Sequence, residues 1–414
     1  MSGEECTAGD ALLSVHQARQ RILARVTPVT GRERLDLRAA LGRVLATEVR
    51  SNIDVPPGDN SAMDGYAVRS ADLPAQGTAT VALVGTALAG VPFTGAVERG
   101  QCVRITTGAL LPAGTDTVVA QERVRVDDQA VEIGPGHRSG ENVRRAGEDI
   151  ARGKPLLAAG TRLLPAELGL LAAIGLAEVQ VYRRVRVAFF STGDELRGLG
   201  QELEPGQIYD SNRYTLYGML RRLDAEIVDL GVVRDRRDSV RHALQEAAAD
   251  ADVVLTSGGV SVGAADFVTQ TLGELGEIDF WRIAMKPGKP LALGRIGAAV
   301  FFGLPGNPVS TMATFYQFVQ PALRCMAGEP PRPPLVCRAV TLAPLRTEPG
   351  RLEYQRGILQ TGDDGQLQVR STGMQDSHVL TSMSRANCFI ILPADCDGVE
   401  AGGVVEVQPF AGLI

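Results

Sequence analysis

Two glycine-rich loops constrain this chain more than any other feature: TSGGVSVG, from Thr256 to Gly263, and GLPGNPVS, from Gly303 to Ser310. Each follows a short apolar run (251–255 and 298–302) that reads as a buried parallel strand, and each leads into a helical pattern. Strand, glycine loop and helix, twice over, predict a doubly wound sheet whose loops gather at the carboxyl edge of the strands. Backbone N–H groups and helix starts at that edge suit anionic ligands, so the pair predicts a phosphate-binding rim.

The alternation extends toward the amino end. Strands are expected at 185–191 and 226–230, with helices around 212–222 and 238–249, which gives an α/β region with a parallel sheet. Far upstream, Leu12, Val15, Ala18, Ile22, Leu23 and Val26 recur at helical intervals, predicting an amphipathic helix behind an Asp10 cap. Between about Ala46 and Asp149 the texture changes to short β-rich runs (79–85, 102–106, 117–126) with a turn at Asp127-Asp128, which predicts a mostly β insert. A second helical pattern follows at 165–175. The proline-rich stretch 328–334 cannot continue a helix and reads as a linker. Beyond it, 335–414 is β-rich with a hairpin signal at Asp364-Gly365, predicting a small barrel or sandwich. The expected class is therefore multidomain, α/β and β, and 414 residues with 44% hydrophobic content can fill several cores.

A formal charge of −6 argues against a general nucleic-acid or anionic-membrane binder, so an anionic ligand must meet a local basic site. Six scattered cysteines without a C-x-x-C predict reduced thiols. The first residues show no basic and apolar leader pattern, and no run of about 18 uncharged apolar residues occurs, so the cytoplasm is expected and a membrane is not.

Several carboxylates fall at the rim. STGDEL (191–196) carries Asp194 and Glu195, GVVRD carries Asp235, and SVGAAD carries Asp266. Acids beside a phosphate repel it unless a cation lies between them, and Mg²⁺ is the usual one; the alternative is that they cap neighbouring helices. MKPGKP offers Lys286 and Lys289 around a turn set by Pro287, Gly288 and Pro290. Two loop lysines are ordinarily just solvated, but their place between two phosphate-type loops points to an oxyanion. GPGHRSGENVRRAGEDI (134–150) reads as an arginine-rich loop that neutralises its own acids. DNSAMDGYAV (59–68) has polar groups and little apolar content, which suits a site or interface, with an Asx turn at Asp59 or Asn60 as the alternative.

A rival motif overlaps the first loop. Gly259-Val260-Ser261-Val262-Gly263 fits the G-x-S-x-G nucleophile elbow, but Ser257 and Gly258 lengthen the turn, and the one downstream histidine, His378, lies beyond the linker. No G-x-x-x-x-G-K-[ST], G-x-G-x-x-G or H-E-x-x-H occurs.

Taken together and in order, DNSAMDGYAV, RITTGA, RRAGEDI, FSTGDEL, IYDSN, SGGVSVGAAD, KPGKP and GLPGNPVS resemble the bacterial molybdopterin molybdenumtransferase (MoeA) family, whose eukaryotic relatives include gephyrin; the similarity runs from about Ala11 to Phe410. The resemblance implies a reaction of adenylylated molybdopterin with molybdate that releases AMP and leaves molybdenum on the pterin dithiolene, with Mg²⁺ as cofactor. It places Asp59, Thr107, Asp149, Glu195, Asp235 and Asp266 on the family's functional acids and threonine, with Glu195, Asp235 and Asp266 as the metal set. Lys286, Lys289 and Pro290, with Arg351 or Arg356 and Ser377, fall where molybdate is held. Ser257, Gly258, Gly259, Ser261, Gly263, Pro305, Gly306 and Asn307 make the substrate loops. Where bacterial relatives commonly carry lysine after the tryptophan, this chain has Trp281-Arg282, which keeps the charge in a planar fork.

The resemblance also implies a discontinuous layout. Residues 11–26 join 178–327 in the α/β domain, 27–45 join 147–177 in an elongated linker domain, 46–146 form the insert and 335–414 the C-terminal β domain. It further implies a homodimer with one subunit's insert over the other's cleft, and the adenylyltransferase of the preceding step as a partner. Two other activities stay open: that adenylylation itself, although those enzymes tend to read SGGTG, and a gephyrin-like scaffold.

Overall fold

The structure is a computed structural model that describes residues 12–259 and 267–410. The chain forms two compact units, the first made of Met1–Glu33, Gly42–Ala46 and Val181–Ile414, the second of Arg34–Leu41 and Thr47–Gln180.

The first unit opens with helix α1, Val15–Leu23. Its cap is Ser14 rather than the expected Asp10, which lies outside the described residues. The Ser14 hydroxyl accepts from the Gln17 N–H while the Gln17 side chain accepts from the Ser14 N–H, so two orphan donors are satisfied reciprocally. Val15, Ala18 and Ile22 are the buried stripe of α1.

The second unit is built on a six-stranded sheet, with β1 (Gly65–Val68), β2 (Ala79–Ala87), β3 (Gln101–Ile105), β4 (Thr117–Ala120), β5 (Val124–Asp127) and β6 (Ala130–Ile133) in the order β4-β1-β3-β2-β6-β5. The expected single run 117–126 is two strands, broken by a 3₁₀ turn over Gln121–Arg123. Segment 59–68, expected as an open polar loop, is half core: β1 is buried throughout, and its Tyr66 and Val68 pack with Val81, Cys102 and Val119. Helix α2, Pro165–Ala173, follows the sheet.

From Arg186 onward the first unit alternates as expected. Strand β7 (Arg186–Thr192) leads to α3 (Ser211–Arg222), β8 (Glu226–Val233), α4 (Arg237–Asp250), β9 (Val253–Ser257) and α5 (Phe267–Leu275). Then come two strands that the apolar pattern did not reveal, β10 (Glu277–Arg282) and β11 (Pro290–Ile296), followed by β12 (Ala299–Leu304). The sheet order is β8-β7-β9-β12-β11-β10. The first four strands run parallel, β11 pairs antiparallel with β12, and β10 pairs antiparallel with β11, so the sheet is mixed rather than purely parallel.

Because side chains alternate along a strand, neighbouring residues serve opposite layers. Phe189, Leu255 and Phe302 face one apolar cluster with Ile22 and Phe318, while Phe190, Val254 and Phe301 face another with Leu244 and Leu272. Burying a phenylalanine in this way contributes roughly 1.5–3 kcal/mol. Both faces of the central strands are therefore closed, and their carboxyl ends are the places where polar side chains remain available.

Helix α6 (Pro308–Thr314), a π-helical stretch (Phe315–Val319) and helix α7 (Gln320–Met326) run on from the second glycine loop. After the proline-rich stretch the chain forms β13 (Cys337–Thr341), β14 (Leu352–Thr361), β15 (Leu367–Ser371), α8 (Leu380–Arg385), β16 (Cys388–Leu392) and β17 (Val404–Pro409). The order β14-β15-β13-β17-β16 closes through β14–β16 pairing, so the expected barrel or sandwich is a five-stranded barrel. The hairpin at Asp364-Gly365 joins β14 to β15. Tyr354 and Phe389 of the barrel belong to the same apolar cluster as Phe302, Phe315 and Phe318, so barrel and α/β layer share a core.

Candidate active site

Strand β9 ends at Ser257, and the chain must then turn sharply. Gly258 has φ +88°, and a Cβ there would stand 2.7 Å from the Thr192 carbonyl oxygen, so this position takes no other residue without strain. The Gly258 N–H donates to the Leu304 carbonyl at 3.1 Å, which ties the first glycine loop to the end of β12. A single amide joins the two loops again: Asn212 Nδ2 donates to Ser257 Oγ at 2.8 Å and to the Gly306 carbonyl at 2.6 Å. Ser261, Gly263 and Asp266, expected to complete this loop, lie outside the described residues.

Facing these loops is the lysine turn. Met285–Lys286 forms a two-residue strand beside β14, with Met285 opposite Leu352 and Lys286 opposite Glu353. Gly288 sits at φ +105°, where a Cβ would meet Thr314 Oγ1 at 2.6 Å. Lys286 is not the uncommitted cation the sequence led us to expect: its Nζ lies 3.2 Å from Glu353, a carboxylate only 4% exposed. Lys289 is exposed, and its carbonyl accepts from the Ile283 N–H at 2.8 Å.

One cavity is lined by both groups, Gly258 and Gly259 as well as Lys286, Lys289 and Pro290, and its lining also includes Pro305, Gly306, Asn307, Arg351, Ser377 and one acid, Asp376. The Ser377 hydroxyl accepts from Asn307 Nδ2 at 2.9 Å, and the Ser377 carbonyl accepts from the Val309 N–H at 3.0 Å, so the start of α6 fixes that serine. The choice between Arg351 and Arg356 is resolved for cavity contact. Arg351 lines the cavity, whereas Arg356 is 1% exposed and donates to Ser382 Oγ at 2.9 Å and to the Asp376 carbonyl at 3.1 Å. Burial lowers the Arg356 guanidinium to about 10. Its place is beneath the 375–377 loop, as a support. Arg282, at the end of β10, is not among the cavity's lining residues.

A second cavity shares Gly258, Gly306 and Asn307 with the first and is lined also by Thr192, Glu195, Asp210, Asn212 and His378. Nearby, the Asp235 N–H donates to Asp194 Oδ1 at 3.4 Å. Burial, then the charges of Asp194 and Glu195, raise the Asp235 carboxyl above its ordinary value, with Thr192 partly offsetting them. Glu195 and Asp235 are thus brought together in a place short of positive charge, which fits a divalent cation. Among the described residues, no three acids, histidines or cysteines form a ready ligand set.

The remaining sequence candidates belong to the second unit. Asp59 accepts from the Ala146 N–H at 2.9 Å and from Arg145 Nη1 at 2.6 Å, and these two bonds hold its carboxyl below the usual range. Thr107 donates its N–H (2.7 Å) and hydroxyl (2.8 Å) to Asp64 Oδ1. Asp149 is exposed, and its N–H donates to the Val55 carbonyl at 3.1 Å. The arginine loop does neutralise acids, though Arg145 reaches across to Asp59 rather than to its own neighbours.

Sequence reasoning missed Asp64, Glu353, Asp210 and Asn212. The last two lie inside the IYDSN motif, and Asp64 lies inside DNSAMDGYAV, so attention to every polar member of those motifs was the available signal. Glu353 has no local signal, because its partner is 67 residues away in sequence (353 − 286).

Family profiles match along the chain: the MoeA N-terminal region (domain I and II) over residues 13–175, a probable molybdopterin binding domain over 188–325, and the MoeA C-terminal region (domain IV) over 338–410. A molybdopterin molybdenumtransferase of Haemophilus influenzae is 42% identical across 97% of this chain and 100% of its own length. Molybdopterin molybdenumtransferase 2 of Mycobacterium tuberculosis is 36% identical across 94% and 98%. Among solved structures, the molybdopterin biosynthesis MoeA protein of Pyrococcus horikoshii matches with a TM-score of 0.82 at 26% identity, covering 96% of this chain and 100% of that one.

Proposed function

The chain belongs to the molybdopterin molybdenumtransferase (MoeA) family, and from that premise we propose that it transfers molybdenum from molybdate to adenylylated molybdopterin with release of AMP. The observation that carries the reading is one cavity lined by Gly258 and Gly259 of the first glycine loop together with Lys286, Lys289 and Arg351. Both reactants are anions and repel each other in water; a pocket with fixed donors and cations offsets that repulsion before any bond changes.

The roles follow from placement. The Gly258–Gly259 turn and the 305–307 loop would receive the phosphates, with Ser257 and Gly306 held in register by Asn212. Lys289, Arg351 and Ser377 take the tetrahedral oxyanion; Lys286 completes the positive wall while Glu353 fixes its direction. Pro290 and Pro305 make the walls rigid, and Asn307 orients the Ser377 hydroxyl. The crowding that raises Asp235 supports Glu195, Asp235 and Asp266 as the residues that would hold Mg²⁺. When bound, that ion supplies charge neutralisation at the phosphoanhydride.

Asp59, Thr107 and Asp149 lie on the second unit. We read the chain as a homodimer in which the second unit of one copy completes the cleft of the other. The reaction would take place in the cytoplasm, beside the adenylyltransferase that supplies the substrate; no helix among the described residues is long and apolar enough to cross a membrane.

The test is direct. The purified chain, given adenylylated molybdopterin and Mg²⁺, releases AMP only when molybdate is added. Formation of adenylylated molybdopterin from ATP and free molybdopterin, without molybdate-dependent AMP release, would assign the preceding step instead.

A further inference from the structure

Where strand β15 leaves the barrel, a side chain completes the last rung of its ladder. Gly357 of β14 faces Ser371, the final residue of β15. In an antiparallel ladder the next pair, Arg356 and Thr372, would exchange two hydrogen bonds. The Thr372 N–H does donate to the Arg356 carbonyl, at 3.0 Å, but the Arg356 N–H donates instead to Gln375 Oε1 at 2.7 Å. Gln375 Nε2 donates in turn to the Arg356 carbonyl at 3.1 Å, to Ser371 Oγ at 2.8 Å and to Thr372 Oγ1 at 3.3 Å. Both ends of that amide are thus committed to the two strands.

The released chain runs to the oxyanion cavity. Gly373 takes φ +99°, which bends the backbone out of the strand, and Gln375, Asp376 and Ser377 all line the cavity. Arg356 holds this loop a second time, through Nη2 on the Asp376 carbonyl at 3.1 Å. From the other side, Asn307 Nδ2 donates to Ser377 Oγ at 2.9 Å and the Val309 N–H to the Ser377 carbonyl at 3.0 Å. Ser377 is therefore spanned between the barrel and the start of α6. Because its oxygen already accepts from Asn307, the hydroxyl has its own proton left to give, and among the described residues that proton finds no acceptor. A tetrahedral oxyanion presents nothing but acceptors.

We propose that Gln375 is a positioning residue for that oxyanion. By completing the rung at Arg356, it fixes where the backbone of 376–377 enters the cavity, and with it the direction in which Ser377 donates. The inference deepens the reading proposed above, which seats the oxyanion at Ser377. Gln375 acts through that serine, not by contact with the substrate.

A double-mutant cycle separates action through Ser377 from general support. Molybdate is titrated calorimetrically into the full chain as wild type, Gln375→Met, Ser377→Ala and the double variant. Methionine matches glutamine in length but cannot complete the rung. Ser377→Ala should weaken molybdate about tenfold, as for one hydrogen bond to a charged group, and Gln375→Met about fivefold. The double variant should bind no worse than Ser377→Ala alone, because the residue that Gln375 aims has already lost its hydroxyl. In turnover, Gln375→Met should raise KM for molybdate by the same factor and leave KM for adenylylated molybdopterin unchanged. Ser371→Ala removes one acceptor of the amide and leaves the rung; it should weaken molybdate about twofold, and it reads the claim independently if Gln375→Met melts early. Losses that multiply to about fiftyfold in the double variant overturn the inference, as do unchanged molybdate binding in Gln375→Met and a parallel rise in both KM values. A wild type that binds no molybdate removes the oxyanion reading and this inference with it, whereas the other failures leave that reading standing.

Discussion

The Lys286 ammonium lies 3.2 Å from Glu353, and the two differ sharply in exposure, 41% for the lysine side chain against 4% for the carboxylate. The Thr347 hydroxyl donates to the other carboxylate oxygen. The lysine can hydrate alone; the glutamate cannot.

Lys286→Met therefore strands a buried carboxylate, and we expect it to lower unfolding stability by about 1–3 kcal/mol, less than for a fully buried pair. Lys289→Met, at an exposed position, should leave stability unchanged while raising the KM for molybdate about tenfold. Urea melts set beside molybdate titrations separate the two. Equal melting of both variants would show that Glu353 does not depend on its partner.

The two arginines of the barrel should divide in the same way. Arg351→Ala removes a cation at the cavity and should raise the molybdate KM about 10- to 100-fold, as for a lost charge-assisted hydrogen bond, with a wild-type melting temperature. Arg356→Lys breaks the contacts to Ser382 and the Asp376 carbonyl from a fully buried position and should melt several degrees earlier. Thermal melts and initial rates on both proteins test the assignment.

Acid sensitivity should trace to Asp252. Burial pushes its carboxyl up, but Arg183 donates to it at 2.6 and 2.7 Å and the Arg186 N–H at 2.8 Å, and the net effect is a value below the ordinary range. A depressed folded value stabilises above the unfolded pKa, near 4, and that contribution disappears as pH falls through the folded value. Asp252→Asn should melt below wild type at pH 7, and the two curves should draw together as pH falls through the depressed folded value. A constant gap at all pH values would remove the carboxylate from the account.

Asp235 should behave oppositely. Its folded value is raised, by burial first and then by Asp194 and Glu195, so its cost appears as pH rises past the unfolded value and is absent in acid. Asp235→Asn should therefore melt about 1–2 °C above wild type at pH 7 in the absence of metal, and level with it near pH 3. Adding Mg²⁺ should raise the wild-type melting temperature more than the variant's. Differential scanning fluorimetry with and without the ion decides this; an identical response to Mg²⁺ would remove Asp235 from the ligand set.

What could be read ahead of the structure followed from how buried parallel strands are written. The strands β7, β9 and β12 each carry an unbroken apolar run because both their faces are covered, and the glycines after β9 mark a turn that only glycine can make. Strands β10 and β11 escaped notice because the first of them, EIDFWR, mixes charge with apolar residues and lies at the sheet edge. The polar half of the site was legible by residue type but not by partner. Lys286 announces a cation, yet its neutralisation by Glu353 depends on a strand pairing set by the barrel. Arg351 and Arg356 are indistinguishable as letters; the first precedes β14, and the second points under the loop that the first borders. Asp64 was passed over because its partner Thr107 is brought beside it only by the pairing of β1 with β3.

The short strand Met285–Lys286 is hydrogen-bonded to the barrel, although the rest of its loop serves the α/β layer. A protein cut at the proline-rich stretch would keep its rim of glycines and lose the edge that aims the lysines. The anion end of this pocket is thus a joint possession of two architectural pieces, and an ancestor with only one of them would have had to grip its oxyanion by other means.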